Sequence, residues 1–137
     1  SFNQDISEWD VSNVTHMANM FMFSSFNQPI GEWDVSSVLY MSDMFHGTPF
    51  NQPIGEWDTS NVVTMGGMFN SSSFNQDIGK WDVSSVEDMD YMFDSSSFNQ
   101  DLSQWCVSQF STMPSNFDTG ASSWVLPNSR PVWGTCP

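Results

Sequence analysis

Apolar residues in the first part of the chain fall at Ile6, Trp9, Val11, Val14, Met17, Met20 and Phe21, with mostly polar residues between them. Trp9 and Val11 alternate with Glu8, Asp10 and Ser12, the period of a short strand with one face buried. Met17, Met20 and Phe21 stand at i, i+3 and i+4, one stripe of a short helix. Asp10 or Ser12 is placed to cap that helix. The order then recurs at a fixed step, with Phe at 2, 26, 50, 74 and 98 and Trp at 9, 33, 57, 81 and 105.

A unit of about 24 residues cannot bury its own apolar face, but stacked units bury one another's. The pattern therefore predicts an α/β repeat solenoid in which each coil holds a short parallel strand and a short helix. Strands in such a stack lie about 4.8 Å apart. Five coils starting near 2, 26, 50, 74 and 98 span residues 1–117, and the non-repeating tail 118–137 is expected to cap the last one.

The repeat sorts side chains into columns. The Trp column and the Met columns (Met17, Met41, Met65, Met89 and Met113; Met20, Met44, Met68 and Met92) follow the buried periodicities and are assigned to the core. Each Phe opens a Phe-Asn-Gln tripeptide. The Phe reads as buried and the Asn as an amide bonding to neighbouring turns, with a ligand role for Asn and Gln as the other reading. The first coil carries the same apolar columns as the rest. It reads as one piece of a longer array, or as an edge that pairs with a second chain.

Composition changes the picture in one respect. The 137 residues hold sixteen carboxylates and two basic side chains, for a net charge of −14. So acidic a chain is a poor match for nucleic acid or an anionic membrane surface. No apolar run approaches the roughly 20 residues of a membrane span, so no membrane insertion is expected.

The units Phe-Asn-Gln-Asp-Ile-Ser-Glu-Trp-Asp-Val-Ser-Asn-Val-Thr-x-Met-x-x-Met-Phe resemble those of the BspA-type leucine-rich-repeat surface proteins, from Ser1 to Phe117. The ending Trp105-Cys106-Val107-Ser108, through Pro131-Val132-Trp133-Gly134-Thr135-Cys136-Pro137, is similar to a terminal cap in that group. The resemblance implies a leucine-rich-repeat-like fold and an extracellular or cell-surface location. It also implies a binding or adhesive role toward a host or matrix protein or a glycan, and no enzyme. In that oxidising setting Cys106 and Cys136 are expected to pair and pin the tail; two free buried thiols are the alternative. Trp replaces the second Leu of the general pattern, and Val14, Val38, Val62 and Val86 take the usual Asn position.

Two acidic columns are the candidate contact face: Glu8, Glu32 and Glu56, then Asp10, Asp34, Asp58 and Asp82. Carboxylates about 5 Å apart repel by roughly 0.8 kcal/mol in water, so a stack of them needs compensation. Helix capping supplies one form and bound Ca²⁺ another. No D-x-D-x-D-G loop is present, so no cofactor is assigned, and Ca²⁺ stays an alternative within a glycan-binding reading. A further cluster, Glu87, Asp88, Asp90 and Asp94, occurs in the fourth coil only and reads as a solvated face or a site for a basic partner. His16 and His46 occupy different columns and no nucleophile elbow occurs, so catalysis finds no constellation. The remaining alternative is a spacer that self-associates end to end.

Overall fold

A computed structural model describes all 137 residues. It corrects the expected α/β architecture. Of the 53 backbone–backbone hydrogen bonds, none belongs to a helix or a multi-residue strand. The only ladder marks are isolated parallel bridges linking His16 to Tyr40, Tyr40 to Thr64 and Thr64 to Asp88. The coils are built from turns.

The Met-x-x-Met-Phe segment shows how. The N–H groups of Met20, Met22 and Ser24 donate three residues back, to Met17, Asn19 and Phe21, closing consecutive tight turns. The N–H groups of Met17, Asn19, Phe21 and Phe23 point the other way and donate to the carbonyls of Tyr40, Ser42, Met44 and His46 in the next coil, at 2.9–3.0 Å. A helix would direct every N–H four residues back along its own segment. Here alternate N–H groups are committed to a neighbour, which excludes that.

Alternation requires left-handed residues, and they recur in two columns. Asn19 (φ 63°), Asp43 (57°), Gly67 (66°) and Tyr91 (62°) form one; Phe23, Gly47, Ser71 and Ser95 form the other. A positive φ at the third position of a four-residue turn is the type II arrangement. Gly67 is the cheapest occupant, and a side chain there would also collide with the carboxylate of Asp43. Gly66 and Gly67 would each cost a helix interior about 1 kcal/mol relative to Ala, whereas the left-handed turn position of Gly67 favours glycine.

The expected strand at Trp-Asp-Val-Ser is absent too. Trp9 N–H donates to Ile6 and Val14 N–H to Val11, again three residues back. Between these turns the Asp10 carboxylate accepts the Ser12 N–H at 3.0 Å and the Ser12 hydroxyl at 2.6 Å. Aspartate bonding two residues ahead is an Asx turn, so it caps a turn and not a helix.

Coils register at the same step throughout. The Asn27, Asn51, Asn75 and Asn99 N–H groups each donate to the side-chain oxygen of the Asn 24 residues earlier, at 2.8–2.9 Å. The indoles of Trp33, Trp57, Trp81 and Trp105 donate to the carbonyls of Ile6, Ile30, Ile54 and Ile78. These bonds let a large aromatic be buried with its polar atom satisfied.

The core is a set of stacked rings. Phe26, Phe50, Phe74 and Phe98 follow one another at 5.9–6.2 Å, and Phe21, Phe45, Phe69 and Phe93 at 5.6–5.8 Å. The two columns face each other at 4.0–4.4 Å. These distances fall in the roughly 4.5–7 Å range of offset-stacked aromatic pairs.

Four core assignments fail at the ends, Phe2 among them at 42% exposed. Trp9 is 55% exposed and Met20 38%, whereas Trp33, Trp57, Trp81 and Trp105 are buried. Met113 is also exposed, because buried Pro114 and Phe117 hold the fifth turn. The tail closes the last coil. Trp124 packs edge-on against Phe93 and Phe98, its indole donates to Ser129, and Arg130 lies 4.3 Å over its ring. Arg130 also pairs with Asp118 at 3.1 Å, and Cys106 and Cys136 are joined by a disulfide.

Candidate functional site

The predicted acidic columns all lie at the surface: Glu8, Glu32, Glu56, Asp10, Asp34, Asp58 and Asp82 are exposed. The aspartates are already engaged by their own turns. Asp34, Asp58 and Asp82 repeat the bonds of Asp10, to Ser36, Ser60 and Ser84. The serine hydroxyl, then the serine N–H, holds the carboxyls of Asp10, Asp34 and Asp58 below the ordinary aspartate value. Repulsion from the preceding aspartate raises Asp34 and Asp58 slightly against this. The compensation for stacked charge is therefore a pair of serine donors, in place of the expected helix dipole. Among the glutamates, Glu56 faces Lys80 at 3.7 Å, but both side chains are more than 80% exposed, so the pair contributes little. No three His, Cys, Asp or Glu side chains converge as a metal ion would require.

A different face carries the variation. In the turn segment the buried Met and Phe hold to their columns while the outward positions change from coil to coil. One column reads Thr15, Leu39, Val63, Glu87, and the next His16, Tyr40, Thr64, Asp88. A third runs Ala18, Ser42, Gly66, Asp90, and a fourth Met22, His46, Asn70, Asp94. All sixteen are partly or fully exposed. Backbone bonds hold these columns side by side, so the changes accumulate into a gradient.

At the first two coils the gradient is apolar and aromatic. His16 lies 4.6 Å from the Tyr40 ring and Phe23 lies 4.8 Å from His46. His46 meets Asp43 at 3.1 Å, which fixes its ring. At the third coil the missing side chains of Gly66 and Gly67 open a groove of about 400 Å³ bounded by Asp43, Asn70, Asp88 and Tyr91. At the fourth coil Glu87, Asp88 and Asp90 are exposed and Asp94 half-buried. Asp90 accepts the Ser115 N–H and Asp94 the Ser95 hydroxyl, which orders their carboxylates.

The sequence reading isolated the acidic cluster but not the face it belongs to. The available signal was variance: these columns change while the Asp-x-Ser column does not. No helix is long and apolar enough to cross a membrane.

A family described as "Mycoplasma protein of unknown function, DUF285" matches residues 1–49 and 23–125, and the chain belongs to that family. No curated protein and no solved structure matches it.

Proposed function

We propose that the chain is a non-enzymatic binding or adhesion module of the extracellular space or cell surface. It engages a protein or glycan partner through the graded turn face, from Tyr40 and His46 across the Gly66-Gly67 groove to Asp88 and Asp90. The observation that carries this reading is the coil-to-coil variation on that face, set on a backbone fixed by inter-coil hydrogen bonds. A rigid array presenting different side chains at equivalent points offers an extended, pre-organised contact surface. A packing requirement would repeat; these columns do not. The disulfide and the resemblance to BspA-type surface proteins support the location.

A glycan and matrix-protein array, run with and without calcium, tests it. A ligand should be retained by wild type and by Glu32→Gln, and weakened about tenfold or more by Tyr40→Ala combined with Asp88→Asn. Binding that follows Glu32 and Asp34 instead would return the site to the acidic columns. A strict calcium requirement would favour a metal-dependent glycan reading.

A further inference from the structure

On the turn face one contact between internal coils is left incomplete. Parallel bridges link His16 to Tyr40, Tyr40 to Thr64 and Thr64 to Asp88, and the series stops there, although Thr112 stands next in the same column. In each bridge the N–H after the bridging residue donates to the next coil: Met17 to Tyr40, Met41 to Thr64, Met65 to Asp88. The carbonyl before it accepts in return, Thr15 from Tyr40 and Leu39 from Thr64. At the fourth coil the counterparts are the Met89 N–H and the Glu87 carbonyl, and neither has a partner in the chain. Met89 is fully buried, where an N–H without an acceptor is rare.

A slip of register is the cause. The Asn and Trp bonds keep one step throughout, but the turn face does not. Asn19, Asp43 and Gly67 donate 23 residues ahead, to Ser42, Gly66 and Asp90, whereas Tyr91, Phe93 and Ser95 donate 24 ahead, to Ser115, Phe117 and Thr119. The fifth coil thus holds one extra residue before Ser115, a bulge that interrupts pairing. Ser111, Thr112 and Met113 are exposed and form no backbone–backbone hydrogen bond, so little holds them over the gap.

The surroundings are acidic. Glu87, Asp88 and Asp90 are exposed beside the open position, and the carboxylates of Asp88 and Asp43 lie over Gly66 and Gly67. The two cations of the chain are engaged elsewhere, Lys80 with Glu56 and Arg130 with Asp118.

We propose that the Glu87–Met89 edge captures an extended basic segment of a partner protein, which moves residues 111–113 aside and completes the missing bridge. This rests on the reading of the turn face as a binding surface, and it makes the partner a protein and not a glycan. One residue of the segment takes the place of Thr112: its N–H donates to the Glu87 carbonyl, and its carbonyl accepts the Met89 N–H. Lys or Arg at that residue lies beside Asp88, since paired residues share a face. Main-chain bonds then give affinity and alternate side chains give specificity. A second copy of this chain is a poor occupant, with two basic residues among 137.

A peptide of alternating Lys and Thr, titrated into labelled, oxidised protein, tests this by nuclear magnetic resonance. The Met89 amide proton should move downfield and exchange at least about tenfold more slowly, and added salt should weaken binding. Glu87→Gln with Asp88→Asn should weaken it about tenfold or more, as should backbone N-methylation of the peptide. Removing Met113 restores the step of 23, so it should protect the Met89 amide without peptide and abolish binding; near-ultraviolet dichroism verifies its folding. No binding, equal binding of a Glu-Thr peptide, or binding that leaves Met89 unchanged overturns the proposal. An array ligand held through Tyr40 and Asp88 with Met89 unchanged removes this mode alone and leaves the binding-module reading standing.

Discussion

The side-chain oxygen of Asn99 accepts the N–H groups of Val125 at 3.0 Å and Leu126 at 2.9 Å, so the tail ends an amide ladder that begins at Asn3. The same atom type joins each earlier pair of coils. Replacing Asn51 by Ala removes the acceptor for Asn75 N–H and Gln76 Nε2 together. Gln76 Nε2 keeps the Asn51 carbonyl and water reaches these sites, so the loss should cost about 0.5–1.5 kcal/mol, with Asn99→Ala costing a similar amount at the cap. Urea midpoints of the two variants against wild type check this.

The Cys106–Cys136 bond closes a loop with a sequence separation of 30. Reduction should add two hydrogens' mass and lower stability by about 3 kcal/mol, chiefly by freeing the unfolded chain. Intact mass and urea unfolding, with and without reductant, measure both. An unchanged mass would remove the disulfide from the account.

Acid should weaken the fold through the Asx turns. Asp5, Asp10, Asp34, Asp58 and Asp101 all titrate below the ordinary 3.8, held there by serine donors. A folded-state value below the unfolded one means the stabilisation is complete above 3.8 and is lost as pH falls through the folded value. Unfolding midpoints between about pH 5 and pH 2 should therefore fall, and Asp34→Asn with Asp58→Asn should flatten that fall.

Tryptophan emission separates the first coil from the others. Trp33, Trp57, Trp81 and Trp105 are buried beneath neighbouring coils, whereas Trp9 is open. Native emission should be mostly blue-shifted, with Trp9 the component most accessible to iodide and half-buried Trp133 a weaker one. Trp9→Phe should remove most of the quenching and leave the weaker part from Trp133, and quenching unchanged by the substitution would contradict the burial pattern.

Much of the architecture was legible because repetition amplifies it. The period, the buried Trp and Phe columns and the Asn amides were all readable from residues stepping together. The local backbone was not. Met17, Met20 and Phe21 fall on one side of a helix and equally on one side of linked turns, so spacing alone could not choose. The deciding residues sit between them: Asn19, Asp43 and the Gly66-Gly67 pair tolerate left-handed conformations that a helix does not need. The Asp-Val-Ser alternation misled in the same way, since an Asx turn also leaves Trp and Val inward. The graded face stayed hidden because it depends on which N–H groups leave the turn.

The fold rests on coils made of turns whose alternate amides cross to the next coil. Hydrogen-bond scalar couplings in labelled protein test it most directly. Couplings should run from the amides of Met41, Asp43 and Phe45 to the carbonyls of Thr64, Gly66 and Met68. Couplings from those amides to carbonyls four residues earlier would mean a helix, and would contradict both the coil and the face built on it.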